Sequence, residues 1–561
     1  MAEQSFQLYD TTLRDGAQQE GMVLTVEEKL AVARELDGLG VGFIEGGWPG
    51  AVPRDTEFFR RARTELDLKH AVLAAFGATR RAGVPASVDP QVRALLAAET
   101  PVVTLVAKSH TGHVRDALRT TLAENLSMIG GTVRHLVHAG RRVFVDAEHY
   151  FDGYQLNREY ALAVVRTAAE AGAETVVLCD TNGGSLPDEV AAVVAETRAL
   201  TGVQLGIHCH NDTGCAVANT MAAVDAGAVQ AQGTAHGYGE RCGNADLFTV
   251  IANLVLKRGR EVVPLERLAG LAATGRAIAE LTELPGSGAA PYIGESAFTH
   301  KAGLHASALR VDPDLYQHTR PALVGNAMRT LVSDMGGRSS IELKARELGY
   351  DVEAGSDEVA RAATRVKELE NSGYSFESAD ASFELLLREE LTGAPRPQPF
   401  EVESWSVSVH GVHGRHGDPS APGAPGAQDD EVRTEATVRL SVQGRAITAT
   451  GHGNGPVNAL DTALHAALDP CFPALSRLEL VDYRVRVLSG ETGSSADARV
   501  LISYQAGSRR WGTVGVGANT TAASWHALLD AVHYVLLDDP PGRAPDAPAH
   551  RVMASVEPTR P

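Results

Sequence analysis

Between residue 5 and about residue 258 the chain alternates eight short apolar runs with longer segments of helical spacing, and no other feature restricts its folding so tightly. The runs are Phe6–Tyr9, Gly42–Gly46, Ala71–Phe76, Val102–Val106, Arg142–Ala147, Thr175–Cys179, Gln204–His210 and Val229–Thr234. Segments such as Val26–Leu39, Arg158–Ala171 and Leu186–Leu200 repeat apolar residues with the helical period. Parallel strands need a crossover of a dozen or more residues, and a helix fills that length. Repeated strand–helix units therefore predict a parallel α/β sheet, and eight of them predict a (β/α)₈ TIM barrel. A doubly wound sheet is the structural alternative. The number of units favours the barrel, and so does the placement of polar residues at the C-terminal ends of the runs. Asp10 with Arg14 and Asp15, Glu45, Asp146 with Glu148, Asp180 with Thr181, His208 with His210, and His236 all fall there. A barrel brings these ends to one mouth, where the fold places its chemistry.

The remainder of the 561 residues is organised differently. Helical patterns at Leu265–Leu281, Ser356–Asn371 and Phe383–Leu391 surround a polar, glycine-bearing stretch, Tyr292–Leu309. The tail carries an internal repeat. Thr434–Thr450 reads as a strand pair running into Gly451-His452-Gly453-Asn454-Gly455 and a helical Pro456–Leu468, and Ala498–Val514 runs likewise into Gly515-Val516-Gly517-Ala518-Asn519 and Thr520–Leu537. This predicts a pseudo-symmetric α+β module with a site between its copies. Neither glycine cluster is G-x-G-x-x-G; tight turns entering helices and a small anionic or zwitterionic ligand at the helix N-termini both fit. The Pro-, Gly- and Ala-rich segment 414–430 reads as a disordered insertion. The expected domains are 1–260, a catalytic barrel; 261–396, a helical linker; 397–540, a C-terminal regulatory domain; and 541–561, a flexible tail.

A net charge of −19 opposes binding to nucleic acid or an anionic membrane as the main activity. Five scattered cysteines form no disulfide framework. The start MAEQSFQLYD has neither a basic nor an apolar leader region. The chain reads as soluble and cytoplasmic.

His208-Cys209-His210 ends the seventh run. Residues i and i+2 of a strand share a face, so both imidazoles face the mouth and Cys209 faces away. With Asp15 from the neighbouring first strand they make a facial set of two histidines and a carboxylate, suited to a divalent cation with open positions. H-x-H alone is a common pattern. Several other residues each admit two readings. Arg14 and Asp15 are an oxyanion-facing cation beside a metal ligand, or a surface salt bridge. Glu148 is an acid–base group, or a solvated loop acid. Thr181 holds a substrate carboxylate, or caps a helix. Asn244 is an amide-oxygen ligand, or a turn residue beside Gly243.

TLRDGAQ, HCHND and GYGERCGNADL together resemble the α-isopropylmalate synthase/homocitrate synthase/citramalate synthase group of metal-dependent, acyl-CoA-condensing barrels. DAEHYFDGY, VLCDTNGGSLP and GESAFTHKAGLHASAL are most similar to its citramalate synthase-like branch. The resemblance covers nearly the whole chain, because the tail is similar to that group's regulatory dimer domain. It implies a divalent metal (Mn²⁺, Mg²⁺ or Zn²⁺) held by Asp15, His208 and His210, with Asn244 as a weaker fourth ligand. It implies that Arg14 contacts the keto oxygen, that Gln18 lines the site, and that Thr181 holds the substrate carboxylate. Glu148 matches the group's catalytic glutamate, and His305 and Tyr316 match a pair delivered to the neighbouring protomer's site, so a homodimer is implied. The implied activity is the acyltransferase condensation of acetyl-CoA with pyruvate to (R)-citramalate, towards isoleucine, with isoleucine or leucine as effector. A larger α-keto acid, or a lyase reaction on the same barrel, are the alternatives. Where the branch has Ile-Asn this chain has Ala235-His236. His236 is then an extra ligand, a reshaper of the keto-acid pocket or a supporting residue.

Overall fold

The computed structural model describes residues 6–412, 431–488, 496–507 and 509–538. The segment 414–430 and the tail 541–561 lie outside these. The chain divides into two compact units, residues 1–299 with 317–329, and residues 300–316 with 330–561.

In the first unit eight strands close a barrel in sequence order, every neighbouring pair parallel. They are β1 (Gln7–Asp10), β2 (Phe43–Glu45), β3 (Val72–Ala78), β4 (Val102–Lys108), β5 (Arg142–Glu148), β6 (Thr175–Asp180), β7 (Leu205–Cys209) and β8 (Gln230–Gly233). Each grows from one of the apolar runs, and helices cover the outside. The helix Val26–Leu39 begins on a capping box, with Thr25 Oγ1 accepting from Glu28 N at 3.2 Å and Glu28 Oε2 accepting from Thr25 N at 2.7 Å. The pattern at Leu265–Leu281 splits at Ala269-Gly270 into two helices, Leu265–Leu268 and Leu271–Leu281.

The barrel interior is layered. Tyr9, Phe43, Ala74, Val102 and Phe144 form an apolar floor, with the Phe43 and Phe144 rings edge-to-face at 5.2 Å. The main apolar core lies between strands and helices. Side chains one step further along the strands are polar and fully buried: Glu45, Thr104, Asp146, Gln232 and His208. The floor excludes water from below, so each of those polar groups must find its partner in the same layer or above it.

The second unit holds the helices Gly303–Leu309, Arg338–Glu347, Asp357–Asn371 and Asp380–Thr392, followed by two three-stranded antiparallel sheets, each backed by a helix. The first sheet is Glu401–Val412, Glu431–Val442 and Arg445–Gly453 with the helix Pro456–Leu468; the second is Glu479–Val487, Ala498–Ala506 and Arg509–Gly517 with the helix Thr520–Asp538. The repeat is therefore βββα, one strand longer per copy than the ββα read from the sequence. The added strands are largely solvent-exposed along their length, which removes the alternation that marks a strand. Gly451 and Gly515 are not turn residues. A Cβ on Gly451 would fall on the backbone of Ala459 and Ala463, and one on Gly515 on the carbonyl oxygen of Ala523, so each glycine lets its helix lie directly on its sheet.

Candidate active site

Asp15, His208 and His210 converge at the barrel mouth, each no more than 5% exposed. His208 Nε2 lies 3.5 Å from Asp15 Oδ2, and His210 Nε2 lies 4.0 Å from Asp15 Oδ1. One ligand atom from each of the three lies within 4.8 Å of the others. His208 is on β7, and His210, one residue past its end, is held by a bridge to Asn244. Asp15 sits on the turn after β1, where the N–H groups of Arg14, Asp15 and Gly16 all donate to Thr11 O at 3.1, 2.9 and 3.0 Å.

The donor chemistry fits a divalent cation. His208 Nδ1 meets Gln232 Oε1 at 3.0 Å, and Gln232 Nε2 donates to Asp146 Oδ1 at 3.0 Å. That chain makes Nδ1 the protonated nitrogen and leaves the Nε2 lone pair facing Asp15, as a ligating histidine requires. Asn244 Nδ2 donates to Tyr238 O at 2.9 Å and to Asp15 Oδ1 at 3.2 Å. Asn244 Oδ1 is buried and has no hydrogen-bond partner among the described residues. A buried acceptor of this kind costs about 1–3 kcal/mol unless something satisfies it, and a cation between Asp15 and the histidines does so. Asn244 is thus both a turn residue and a candidate donor.

Charge in this layer is unequal. Burial pushes the Asp15 carboxyl up, but Arg14, His208, His210 and the Asn244 hydrogen bond outweigh it and hold it down at about 2. Burial pushes His208 down to about 4 and lowers His210 as well, so both are neutral ligands at neutral pH. Burial and the neighbouring Glu45 push Asp146 up to about 8. Arg14 is no surface salt bridge. Its Nε donates to Glu45 Oε1 at 2.5 Å, its Nη1 donates to Asp15 Oδ2 at 2.9 Å, and its guanidinium lies 3.9 Å from the Phe76 ring centroid. Glu45 also accepts from Tyr9 OH at 2.7 Å. Glu45 and Tyr9 lie on different strands and carry no motif; the barrel brings them together.

Glu148 ends β5 and pairs with Lys108 Nζ at the end of β4, so it is not a free loop acid. Thr181 Oγ1 accepts from His149 N at 2.8 Å and caps no helix; the next helix begins at Pro187. Gln18 is exposed on the short helix Gly16–Gln18, and it is Gln19 Oε1 that accepts from Gly239 N at 3.2 Å. His236 is not a ligand. Its backbone has φ 55°, in the left-handed region, and its Nε2 bonds Gly275 O at 2.7 Å while the ring packs edge-on to Phe248 at 5.2 Å. It fastens the loop after β8 to the helix Leu271–Leu281. His305 and Tyr316 belong to the second unit, where their rings lie 4.3 Å apart.

Lys108, His113, His149 and Gln232 also stand around these groups and were not singled out by the sequence. Lys108 carried a signal, being polar at the end of an apolar run. Gln232 lies inside such a run, where nothing marks it.

Residues 5–274 match the HMGL-like family, residues 292–374 the homocitrate synthase post-HMGL domain-like family, and residues 377–536 the LeuA allosteric (dimerisation) domain. The chain is 59% identical over 547 residues to an (R)-citramalate synthase of Streptomyces coelicolor, covering 98% of each chain. It is 46% identical over 541 residues to that of Aquifex aeolicus, covering 96% of this chain and 99% of the relative. With that of Sulfolobus acidocaldarius the identity is 40% over 538 residues, covering 96% and 98%. No helix among the described residues is long and apolar enough to cross a membrane.

Proposed function

Since this chain belongs to the (R)-citramalate synthase family, we infer that it joins the acetyl group of acetyl-CoA to pyruvate and, with water, releases (R)-citramalate and free CoA. The observation that carries this is the 59% identity over 98% of both chains.

Asp15, His208 and His210, with Asn244 Oδ1 as fourth donor, would hold a divalent cation, which would supply Lewis-acid polarisation of the keto carbonyl of pyruvate. Arg14 makes no hydrogen bond through Nη2 to the described residues, so that N–H is available to the keto oxygen. Its cation then faces the alkoxide as it forms. Thr181, whose Oγ1 accepts from His149 N, keeps its own hydroxyl proton for the pyruvate carboxylate. Glu148, paired with Lys108, takes a proton from the acetyl methyl group. The carbanion attacks the keto carbon, a C–C bond forms, and the carbonyl electron pair moves onto oxygen, which is then protonated. Water cleaves the thioester, giving the second carboxylate and the CoA thiol. His305 and Tyr316 complete the neighbouring protomer's site in a homodimer, and the product enters the route to isoleucine.

The LeuA-type domain binds the feedback effector. A cavity of about 1000 Å³ lies at the N-termini of the helices Pro456–Leu468 and Thr520–Asp538, lined by Val457, Asp461, Leu478, Leu480, Tyr483 and Ser524 among others. Helix N-termini suit a carboxylate, Asp461 an ammonium, and the leucines and valine an aliphatic side chain, which together describe isoleucine or leucine.

The test is release of CoA thiol from acetyl-CoA by the purified protein with Mg²⁺ or Mn²⁺, across pyruvate, 2-oxobutyrate, 2-oxoisovalerate and 2-oxoglutarate. Pyruvate is expected to give the highest kcat/KM. Silence with all four overturns the assignment.

A further inference from the structure

A second group of metal-type donors stands at the mouth of the barrel. One ligand atom each from His113, Glu148 and His149 lies within 4.8 Å of the others. The three come from two places: His113 from the segment after β4, and the consecutive pair Glu148, the last position of β5, and His149, the entry to the helix Tyr150–Leu156. The His113 and His149 rings are 4.1 Å apart, tilted by 54°. His149 Nδ1 is buried and has no hydrogen-bond partner among the described residues; the carboxylate of Asp152 stands 3.6 Å away. The His149 backbone lies at φ 54°, ψ 40°, a left-handed conformation that a non-glycine residue holds only where its surroundings impose it. Thr181 Oγ1, at 2.8 Å from His149 N, is one of the groups imposing it.

Donors around a tetrahedral ion at metal–ligand distances near 2.1 Å are about 3.4 Å apart. The three atoms need to close by little more than about 1 Å to reach that spacing. Two imidazoles and one carboxylate make a set that accepts zinc-class ions, as the set of Asp15, His208 and His210 also does. Lys108 opposes occupancy, because its ammonium already holds the Glu148 carboxylate.

We propose that His113, Glu148 and His149 form a second divalent-cation site that accepts zinc-class ions, and that filling it inhibits the enzyme by taking Glu148 out of proton transfer. The inhibition rests on the role given to Glu148 above; the binding does not.

The test uses the full-length protein, with Co²⁺ as a spectroscopic probe and Zn²⁺ titrated calorimetrically. Two Co²⁺ per chain are expected, one of them lost in His113→Ala and in His149→Ala, with that site's affinity falling at least about tenfold. Asp15→Asn is expected to weaken the other site and leave this one. Lys108→Met removes the competing ammonium and is expected to tighten zinc binding, an outcome that misfolding does not mimic. One Co²⁺ per chain in both the unchanged protein and His113→Ala overturns the site. If His113→Ala loses the ion but is inhibited by Zn²⁺ to the same degree as the unchanged protein, the inhibitory mechanism is overturned. Neither result depends on which keto acid the enzyme accepts, so failure of the condensation assignment is seen separately in the keto-acid panel.

Discussion

At the scale of single residues, Asp15 shows how one carboxylate is prepared for a metal. Burial alone would favour its neutral form, but the Arg14 guanidinium and the Asn244 hydrogen bond hold it ionised at neutral pH. Asp15→Asn is expected to lower kcat/KM by about 10³-fold or more, the several kcal/mol that a Lewis acid contributes. Electron paramagnetic resonance of Mn²⁺ is expected to show weakened binding in the same variant. Gln232 acts one step back, by fixing the His208 tautomer. Gln232→Leu is expected to weaken Mn²⁺ binding about 10–100-fold while the fold persists. Asp37 does comparable work for stability alone. Its carboxylate accepts from the N–H groups of Lys69, His70 and Ala71 at 2.8–3.0 Å, pinning the chain entering β3 to the helix Val26–Leu39. Burial pushes this carboxyl up, but those three N–H groups, together with His70, lower it below the ordinary value of 3.8. A depressed pKa gives stability that is present above the unfolded-state value and lost as pH falls through the folded one. Asp37→Asn is therefore expected to cost about 1.5–3 kcal/mol at neutral pH. In urea unfolding the gap to the unchanged protein narrows once the pH drops below that carboxyl's ordinary range.

Secondary-structure elements are set by close approach as much as by pattern. After β8, the loop carrying Asn244 folds back so tightly that a Cβ on Gly239 would strike the Asn244 amide and one on Gly243 would strike Gly237 O. Both glycines also have positive φ, 151° and 82°. In the second unit, Gly451 and Gly515 occupy equivalent positions in the two βββα copies and allow the same helix-on-sheet contact. Gly515→Ala is expected to destabilise by about 1–3 kcal/mol through overpacking. Calorimetry is expected to show a lower Tm and weaker isoleucine binding, because the displaced helix supplies Thr520, Thr521 and Ser524 to the cavity proposed for the effector. That glycine pair was visible in the sequence as part of a repeat. Its function was not, because a glycine that opens a turn and one that admits a helix have the same local neighbours.

For the molecule as a whole, the −19 charge makes the anionic substrates unwelcome except where cation is concentrated. Arg14 and Lys108 supply cation at the barrel mouth, and a divalent ion held by Asp15, His208 and His210 would add to it. The proposed homodimer gives a further prediction. His305 and Tyr316 lie in a different compact unit from Asp15 and Glu148, so if the pair acts in the partner's site, two separately inactive variants complement each other. Co-expressed Asp15→Asn and Tyr316→Phe chains are expected to recover about a quarter of the unchanged activity, since half of the dimers are mixed and each of these has one intact site. Activity no greater than the sum of the two variants alone overturns delivery in trans.

Much of this was written in local periodicity. The eight apolar runs, their order and the polar residues at their ends all follow from the period of two in strands and 3.6 in helices, which covalent geometry imposes on any chain. His208 and His210 were legible as a pair for that reason, and Arg14 with Asp15 because they closely follow the first run, whose strand lies one beyond β8 from β7. The tertiary structure alone excluded the helix cap for Thr181, the solvated loop acid for Glu148 and the surface salt bridge for Arg14. It alone turned His236 towards Gly275, joined Glu45 to Tyr9 and Arg14, and gathered His113, Glu148 and His149. Those contacts join residues far apart in sequence, and their geometry comes from the closure and stagger of the barrel. Closure depends on all eight strands at once, and no local stretch of sequence carries that information.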